Sequence, residues 1–541
     1  MKRRFSGPHL VPAVRATGGS LWEEESFPGE VCFGPRRRRL RPAGIPGLLP
    51  LKSLGRLMIG KSQDPSPSIP ARAGRPPRSS KMAGDPGRRP ALGPGLGWTL
   101  LLLLLGGTSG DDQTTQARAC PDFQNAGLLR GVHLNVQFLL FTPAQPSCGQ
   151  PVKPDRSFRD SGFNGSLDTK IVIHGFRVLG SKPSWIDRLV RTVLRARPAN
   201  VVAVDWVSGS TAAYFAAVGN VMKLSLEISG LIHKMLEMGA TPSSIHIIGV
   251  SLGAHVGGMV GHFHRGQLGR ITGLDPAGPE YTKASLEERL DPGDARFVDA
   301  IHTDTDYLGI RIPVGHVDYF VNGGQDQPGC GFSLTSGYGY MICDHMRAVY
   351  LYLSALENPC SLTAFPCSSY EDFLAGRCPN CSDPFLQACP KIGMEDQGGI
   401  KMEKLPKEVK VYLGTSAETP YCVFHSLVEF RMAHRGNRDT TVEVTFFSSN
   451  ATSSGKVTIR RQQRWGRGVV THPAPLCRVT QVKLRLHSFR RTWRMSEATM
   501  DVTFCAAPMP VNNREKQFCL AQPVTLKAGS SLFRELDVAC D

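Results

Sequence analysis

The chain has 541 residues, of which 41% are hydrophobic and 20% are charged, and its 63 lysines and arginines against 46 aspartates and glutamates give a formal net charge of +17. This composition excludes a wholly disordered chain. The absence of an apolar run of about 18 residues argues against a protein with several membrane spans. The length leaves room for about two to four domains.

The positive charge is concentrated at the N-terminal end. Residues 1–110 hold 18 Lys and Arg against 6 Asp and Glu, a net of +12, which leaves +5 for residues 111–541. No nucleic-acid-binding motif accompanies this charge, so we expect no nucleic-acid partner. Residues 1–81 are rich in Arg, Pro and Gly and show no sustained apolar period. We interpret them as a disordered extension, of the kind that an over-extended gene model produces.

Residues 82–110 have the order of a secretory signal peptide. A basic pair precedes an apolar run from Trp98 to Leu105, and small residues follow as far as Gly110. The apolar run is too short to span a bilayer. We therefore expect translation from Met82 and export of the chain, the alternative being a basic disordered tail in front of a core strand.

Fourteen of the 15 cysteines follow this segment, and an even number after a signal peptide is typical of disulfides in an oxidising compartment. Short spacings predict the pairs Cys330–Cys343, Cys367–Cys378 and Cys381–Cys389. Zinc at Cys378 and Cys381 is the competing interpretation, but no second half-site accompanies them. The spacing leaves eight partners open: Cys120, Cys148, Cys360, Cys422, Cys477, Cys505, Cys519 and Cys540.

Three asparagines, Asn164, Asn380 and Asn450, stand in the N-glycosylation sequon. The sequon often occurs by chance, but an exported chain would be glycosylated at such positions. Together with the cysteines and the signal sequence, they predict a secreted, extracellular, disulfide-bonded glycoprotein.

Between residues 111 and 400, short apolar runs alternate with helical stretches, of which 221–239 is the clearest. Runs that are apolar on consecutive residues are typical of strands buried on both faces. The alternation predicts an α/β fold with a mostly parallel sheet. Four such runs end in a polar or glycine-rich turn: 170–173, 201–204, 245–248 and 270–274.

Residues 401–541 show a different pattern, in which apolar and polar residues alternate and no long helix intervenes. This pattern predicts a C-terminal domain resembling an antiparallel β-sandwich. The alternating segments are 409–413, 442–446, 456–459, 482–486 and 500–504.

One of these segments combines apolar and basic residues. Val482, Leu484 and Leu486 fall on one face of a strand, and Lys483 and Arg485 on the other. The basic face predicts docking to anionic phospholipid surfaces or to sulfated glycans such as heparin, with an ordinary solvated strand as the alternative. Further basic residues that could extend this face are His487, Arg490, Arg491, Arg494, Arg460, Arg461, Arg464 and Arg467.

The sharpest chemical signal is the pentapeptide from Gly249 to Gly253, which follows an apolar strand and precedes a helical stretch. In this context G-x-S-x-G is a nucleophile elbow, with Ser251 in a strained turn. The residues two positions away must be small because a Cβ there would collide with the adjoining strand or helix. We therefore predict Ser251 as a nucleophile, with a structural turn as the alternative.

A serine nucleophile needs a base, and the base needs an orienting carboxylate. In this kind of fold the chain order is Ser, then Asp or Glu, then His. Asp275 ends the next strand and is the predicted acid, whereas Asp205 lies upstream of the serine and is interpreted as structural. Four histidines compete for the base, and a loop-borne His345 before a helix fits best: His174, His302, His316 and His345.

Acyl transfer also needs donors for the oxyanion. The second of them usually comes from the turn after an earlier buried strand, and here His174-Gly175-Phe176 follows such a run. The backbone N–H groups of Phe176 and Leu252 are therefore the predicted oxyanion hole.

Several blocks between about residue 120 and 400 together resemble the pancreatic lipase family. The resemblance implies an α/β-hydrolase fold with Ser251, Asp275 and His345 as the triad, followed by a β-sandwich lipase domain. It implies no cofactor. A calcium loop of the family resembles residues 289–294, but Leu286 replaces an acidic residue, so no metal is predicted. The blocks that carry the resemblance are Ile173–Phe176, Gly249–His255, Gly273–Pro279, Ile301–Asp304, Gly315–Tyr319 and Cys343–His345.

The departures from the family pattern point to one of its branches. Val250 replaces the usual histidine before the nucleophile, and the lid between Cys330 and Cys343 has only 12 residues. A short lid and a short neighbouring loop are features of the phospholipase A1 branch, and residues 245–330 resemble its members that act on phosphatidylserine. The lid residues singled out are Gly331, Phe332, Leu334, Tyr338, Tyr340 and Ile342.

The resemblance thus implies hydrolysis of the sn-1 ester of phosphatidylserine, and of lysophosphatidylserine, by an acyl-enzyme mechanism. Two alternatives remain open. One is a triacylglycerol or broad phospholipid lipase, and the other is a non-catalytic lipid-binding homologue. The presence of all three triad residues argues against the second.

Overall fold

The computed structural model describes residues 120–126, 133–178, 180–211, 213–331, 342–357, 360–381, 385, 389–393, 408–487, 499–511 and 516–540. The expected extension, 1–81, and the expected signal peptide, 82–110, lie outside the described residues. Residues 110–541 group into one compact unit, so a domain boundary near residue 400 stays a prediction.

A large, mostly parallel sheet dominates the chain up to residue 413. Across the sheet the strand order is β2-β1-β4-β3-β5-β6-β7-β8-β10-β9. The seven strands β3 to β8 and β10 run parallel to one another. At the edges, β1, β2 and β9 pair antiparallel with their neighbours. The strands are β1 (Gln137–Thr142), β2 (Gln145–Val152), β3 (Thr169–Ile173), β4 (Asn200–Asp205), β5 (Ile245–Val250), β6 (Arg270–Leu274), β7 (Phe297–His302), β8 (Val317–Val321), β9 (Phe365–Pro366) and β10 (Val409–Leu413).

Helices cover both faces of this sheet. Side chains of α1 and α4 contribute to one hydrophobic layer, and those of α2 and α3 to the other. In β3, Ile171, Val172 and Ile173 are therefore all fully buried. The α/β-hydrolase fold predicted from the sequence is confirmed. The helices are α1 (Trp185–Ala196), α2 (Tyr214–Glu237), α3 (Leu252–Phe263), α4 (Cys343–Glu357) and α5 (Tyr370–Leu374).

Helix α2 begins seven residues before the predicted helical stretch and ends at Glu237. Among the helices of the described ranges, it alone is long and apolar enough to cross a membrane by length and composition. Its inner face, including Leu224 and Ile228, belongs to the hydrophobic core. Packing of this kind accounts for the apolar composition, since core helices meet the same criterion.

Two antiparallel sheets follow the large sheet, as predicted for a sandwich-like arrangement. One has the order β14-β11-β16-β17, with β18 also pairing with β16, and the other has the order β13-β12-β15-β19. Their apolar faces share one core that includes Phe430, Phe446 and Phe504. The strands are β11 (Phe424–Met432), β12 (Thr440–Phe447), β13 (Thr452–Ile459), β14 (Trp465–His472), β15 (Gln481–His487), β16 (Thr499–Pro508), β17 (Phe518–Cys519), β18 (Val524–Lys527) and β19 (Ser531–Glu535).

One predicted sandwich strand is misplaced by the sequence pattern. Residues 409–413 form β10, which pairs in parallel with β8 in the large sheet, so the prediction for this segment is wrong. Lys410 is exposed and the other four residues are buried, so the sequence resembles an alternating strand although the burial does not alternate. The short β9 covers only two residues of β10, so this part of the sheet lies close to its edge.

The structure pairs fourteen cysteines within the described residues. Three pairs are those expected from short spacing, Cys330–Cys343, Cys367–Cys378 and Cys381–Cys389. Because Cys378 and Cys381 are in separate disulfides, neither has a thiolate for zinc. The sequence left the remaining pairs open, and they are Cys120–Cys148, Cys360–Cys422, Cys477–Cys540 and Cys505–Cys519.

Candidate active site

The carboxyl ends of β3, β5 and β6 lie side by side at one edge of the sheet. β5 is hydrogen-bonded in parallel to both neighbours, with Ile173 beside Gly249 and Val250 beside Leu274. The residues that follow these strands are His174, Ser251 and Asp275. In open parallel sheets this edge is where binding and catalytic groups collect.

Ser251 occupies a sharp turn between β5 and α3. Its backbone has φ 56° and ψ −119°, a conformation that side-chain-bearing residues rarely adopt. Its N–H donates to the carbonyl oxygen of Leu274 at 3.0 Å, and the residue is only 8% exposed. The turn thus holds the hydroxyl at the first residue before a helix, where the helix dipole favours negative charge.

The two glycines of the elbow are required by close backbone contacts. A Cβ on Gly249 would lie 2.2 Å from the carbonyl oxygen of Gly253. A Cβ on Gly253 would lie 2.4 Å from the carbonyl oxygen of Ile173, at the end of β3. Neither position can accept a side chain without moving the backbone around Ser251.

His345 and Asp275 form a buried hydrogen-bonded pair. His345 Nδ1 lies 2.6 Å from Asp275 Oδ2, and Asp275 is fully buried. An ionised carboxylate can only accept, so Nδ1 carries the proton and Nε2 is left as the basic nitrogen. The sequence placed His345 in a loop, which is wrong, because it lies in the first turn of α4.

Asp275 is held in place by the loop that follows β7. Its Oδ1 accepts hydrogen bonds from the backbone N–H groups of Thr303, at 2.7 Å, and Asp304, at 3.2 Å. Its own N–H donates to Ile301 at 2.8 Å. The carboxylate therefore has fixed partners on both oxygens, which orients the imidazole of His345.

The predicted oxyanion donors lie on either side of Ser251. A Cβ on Gly175 would be 2.6 Å from Ser251 Cβ and 3.3 Å from its hydroxyl oxygen, so the chain entering Phe176 passes against the nucleophile. Leu252 is the first residue of α3, where an N–H has no partner inside the helix. Both amides are therefore next to the serine, although their roles as donors remain a prediction.

The other histidines have structural partners. Trp206 N–H donates to His174 Nε2 at 3.2 Å, and burial lowers the pKa of His174 to about 3. Val298 N–H donates to His316 Nδ1 at 3.0 Å, and His302 Nε2 lies 2.7 Å from Asp318. Asp205 accepts from the backbone of Gln124 and Val207, in agreement with its structural interpretation.

Sequence reasoning missed Asp304 as a member of this site. Its carboxylate, the carboxylate of Asp275 and the ring of His345 offer atoms that all lie within 4.8 Å of one another. Asp304 Oδ2 is buried without a hydrogen-bond partner among the described residues. Burial and the charge of Asp275 raise the pKa of Asp304 to about 7. The only signal in the sequence was its position two residues after the end of β7.

The pKa of His345 depends on these two carboxylates. Burial lowers it, but the hydrogen bond and charge of Asp275, with a contribution from Asp304, raise it above the ordinary value overall. A general base works only when neutral, so activity should fall as the pH drops through this raised pKa.

We expect Asp304→Asn to move the acid limb of the pH profile of kcat/KM to lower pH. Where Asp304 is ionised, its negative charge favours protonated His345. The substitution removes that charge, so the pKa of His345 falls and the base stays neutral to a lower pH. The measurement is the rate on a soluble short-chain ester across pH 5 to about 9. The exposed Asp306→Asn is the control, and an unmoved limb in Asp304→Asn would contradict the electrostatic role.

The residues around the site can be placed only in part. Phe332, Leu334, Tyr338 and Tyr340 of the predicted lid lie outside the described residues, whereas Gly331 and Ile342 are described at its two ends. The sequon residues Asn164, Asn380 and Asn450 are all exposed.

In the loop that resembles a calcium site, both acidic side chains accept hydrogen bonds from the backbone of the loop itself. Asp291 caps its own turn by accepting from Gly293 N–H at 2.7 Å, and Asp294 Oδ2 accepts from Asp291 N–H at 2.9 Å. Burial and the nearby Asp291 raise the pKa of Asp294 to about 9.

Comparison with known proteins agrees with this geometry. Residues 100–421 match the Lipase family. The chain is 63% identical over 443 residues to "Phospholipase A1 member A" of Bos taurus, covering 82% of this chain and 97% of the relative. It is 62% identical over 441 residues to the Homo sapiens protein of the same name, with the same coverage. It is 43% identical over 313 residues to "Lipase member H" of Danio rerio, covering 57% and 69%.

The match covers more than half of the chain and includes Ser251, Asp275 and most of the sheet that holds them. The strand order, the elbow and the carboxylate–imidazole pair are the parts that an acyl-transfer site of this fold requires. On this evidence the chain is an ester hydrolase that belongs to the lipase family.

Proposed function

We propose that this chain is a secreted phospholipase A1 that hydrolyses the sn-1 acyl ester of phosphatidylserine, and of lysophosphatidylserine. The observation that carries the proposal is the 2.6 Å pair of His345 and Asp275 at the sheet edge that presents Ser251. The similarity to relatives named "Phospholipase A1 member A" supports the choice of a phospholipid ester.

The proposed reaction begins when His345 Nε2 takes the proton of the Ser251 hydroxyl. The oxygen attacks the sn-1 carbonyl carbon, and the N–H groups of Phe176 and Leu252 stabilise the resulting oxyanion. Protonated His345 then gives its proton to the leaving glycerol oxygen, so that the 2-acyl lysophospholipid departs. Water, activated by the same imidazole, releases the fatty acid from the acyl-enzyme. Asp275 stays ionised and stabilises the imidazolium.

The short lid supports a phospholipid over a bulky neutral lipid. Cys330 and Cys343 are bonded and are 13 positions apart in sequence, which limits the lid to 12 residues. A long amphipathic lid would add apolar surface around a triacylglycerol. A lid of 12 residues supplies little apolar surface. A triacylglycerol lipase remains the competing function.

Product analysis distinguishes these functions. Purified protein is incubated with phosphatidylserine, phosphatidylcholine, phosphatidic acid or triolein, each with different acyl chains at the ester positions. We expect release of the sn-1 fatty acid, fastest from phosphatidylserine. Release from sn-2, or a triolein rate equal to the phospholipid rate, would contradict the proposal. Complete inactivity on every lipid would favour the non-catalytic alternative.

Secretion is part of the same proposal. It rests on the seven disulfides, which are typical of an oxidising compartment. The exposed sequon at Asn164, whose side-chain oxygen accepts from Ser166, stands in a turn that a glycan-transferring enzyme can reach. We expect the mature protein in the medium of secreting cells, with a mass that falls after treatment with an N-glycosidase.

We also propose that strand β15 helps the chain to dock on anionic surfaces, including heparin. Val482 and Leu484 are buried and Arg485 is exposed, as the period-two pattern predicts. Arg485 lies opposite Glu443, which reduces the local charge, while Arg460 follows β13 at the same end of the sheet. Arg490, Arg491 and Arg494 lie outside the described residues.

The double variant Lys483→Glu with Arg485→Glu should elute from heparin at lower salt than wild type. The control, Arg191→Glu with Lys223→Glu, makes the same charge change on helices α1 and α2. Binding to heparin falls with each lost contact because fewer counterions are released. Equal shifts in the two double variants would indicate ion exchange without a defined site.

A further inference from the structure

We propose that the cleft between residues 276–283 and residues 305–311 binds the phosphoserine head group of the substrate. Lys283 and Arg311 would neutralise the phosphate and the serine carboxylate, and Glu280 would pair with the ammonium. This inference rests on the proposed phospholipase function and deepens it, because it assigns head-group selectivity to named side chains.

The cleft has a fixed framework. Its two loops are joined by backbone hydrogen bonds from Gly278 to Leu308, at 2.8 Å, and from Ile310 to Pro276, at 2.7 Å. Between them Ala277 and Gly309 form a β-bridge. The cleft has a volume of about 390 Å³, within the range of small-ligand sites. Its walls are therefore set by the backbone and keep their spacing when a ligand enters.

The cleft opens beside the catalytic groups. Gly309, on its wall, lies so close to Asp275 that a Cβ would be 2.6 Å from the carboxylate. On the other side, the carbonyl oxygen of Pro279 accepts from the hydroxyl of Tyr214 at 2.9 Å. The ring of Tyr214 packs against Phe176, with the ring centroids 5.6 Å apart. The wall of the cleft therefore lies against the acid of the triad at Gly309, and Tyr214 connects its other side to Phe176.

This position is on the side to which the head group belongs. In the proposed reaction His345 protonates the leaving glycerol oxygen, so the part of the substrate that bears the head group lies on the His345 side of Ser251. Asp275 is hydrogen-bonded to His345, and Gly309 of the cleft wall lies against the Asp275 carboxylate.

The charges on the cleft wall complement those of phosphoserine. A phosphoserine diester carries two anionic groups, phosphate and carboxylate, and one ammonium, while the wall carries two cations and one anion. Arg311 is oriented by donating from Nε to the backbone carbonyl oxygen of Thr305, at 2.9 Å, and from Nη2 to that of Asp306, at 3.2 Å. The guanidinium therefore meets an anion with little loss of freedom. Lys283 and Glu280 are exposed and can adjust.

The serine carboxylate is what this arrangement would recognise. Phosphatidylethanolamine has the same phosphate and ammonium but lacks the carboxylate, so it leaves one of the two cations without a partner. Phosphatidylcholine lacks the carboxylate as well, and its quaternary ammonium offers no N–H to Glu280. The expected order of rates therefore has phosphatidylserine first.

The test compares phosphatidylserine with phosphatidylethanolamine of the same acyl chains in neutral-detergent micelles. Each sn-1 rate is divided by the rate of the same variant on p-nitrophenyl butyrate, which has no head group. For Lys283→Gln with Arg311→Gln, we expect the serine-to-ethanolamine ratio to fall about tenfold, the loss of a charged hydrogen bond. The control, Arg191→Gln with Lys223→Gln, removes two exposed cations elsewhere and should keep the wild-type ratio.

Two outcomes would overturn the assignment: an unchanged ratio in the cleft variant, or an equal fall in the control. If wild type cleaves no phospholipid at sn-1, the proposed function itself fails, and the wild-type measurement alone shows this.

A second measurement avoids lipid surfaces. Millimolar glycerophosphoserine should slow p-nitrophenyl butyrate hydrolysis by wild type more than glycerophosphoethanolamine does. Equal inhibition by the two compounds would also overturn the assignment.

Discussion

Replacing Ser251 with Ala is expected to lower kcat by a factor on the order of 10⁴ or more, with the fold intact. The hydroxyl is the only group at the elbow that can form the acyl-enzyme, and His345 and Asp275 serve no purpose without it. Alanine is smaller than serine, so it fits the same space. It also keeps the backbone N–H that donates to the carbonyl oxygen of Leu274. The measurement is kcat on phosphatidylserine micelles and on a short-chain ester.

Ser225→Ala is the matched control for this variant. Ser225 is fully buried, and its hydroxyl donates to the carbonyl oxygen of Val221 at 2.8 Å within α2. Losing that bond should cost about 1 kcal/mol of unfolding free energy and leave kcat close to wild type. Near-normal turnover by Ser251→Ala, with circular dichroism showing a folded protein, would exclude Ser251 as the nucleophile.

The elbow could be predicted from sequence because the residues that it requires are close to one another in the chain. The glycines at 249 and 253 are needed by backbone contacts that occur within a strand–turn–helix unit and its adjacent strand. Such contacts recur wherever the unit occurs, so the short motif carries them. The same locality explains why the apolar runs of β3 to β6 were placed correctly, since each is buried on both faces.

The base could not be chosen from sequence spacing alone. Four histidines lie near strand ends or helix starts. They differ in the hydrogen-bond partner that each has in the folded structure. His302 meets Asp318 and His345 meets Asp275, so both form a buried imidazole–carboxylate pair. Only the second pair stands on the strand next to the one that presents Ser251. That distinction depends on the strand order, which a single sequence does not contain; the family resemblance supplied it.

Asp304 and β10 were missed for related reasons. The buried position of Asp304 results from a loop that folds back over Asp275, and Gly309 N–H donates to its carbonyl oxygen at 2.8 Å. No local pattern marks such a loop. Strand β10 lies near the edge of the sheet and exposes Lys410 between buried residues, so its sequence looks like that of a sandwich strand. Both features are set by tertiary neighbours.

Gly175→Ala is expected to lower kcat by about 10² to 10³, although only a methyl group is added. A Cβ at this position would lie 2.6 Å from Ser251 Cβ and 2.8 Å from the carbonyl oxygen of Val250. Because the second contact is with backbone, the chain after β3 must move away from the elbow. Phe176 is the next residue, so its N–H would leave the place where the oxyanion forms.

The control for this variant is Gly219→Ala on helix α2, where a Cβ meets nothing within 4 Å. Alanine there should stabilise the helix by about 0.5 to 1 kcal/mol and leave kcat unchanged. The diagnostic for Gly175→Ala is a loss in kcat that exceeds any rise in KM, since the oxyanion exists only in the transition state and the intermediate. Wild-type kcat in folded Gly175→Ala would mean that the oxyanion is stabilised by donors other than Phe176. Two esters can be compared, one that acylates Ser251 slowly and one that acylates it quickly. If Gly175→Ala lowers kcat for both, the defect lies at the tetrahedral steps of both half-reactions, where a displaced Phe176 N–H must act.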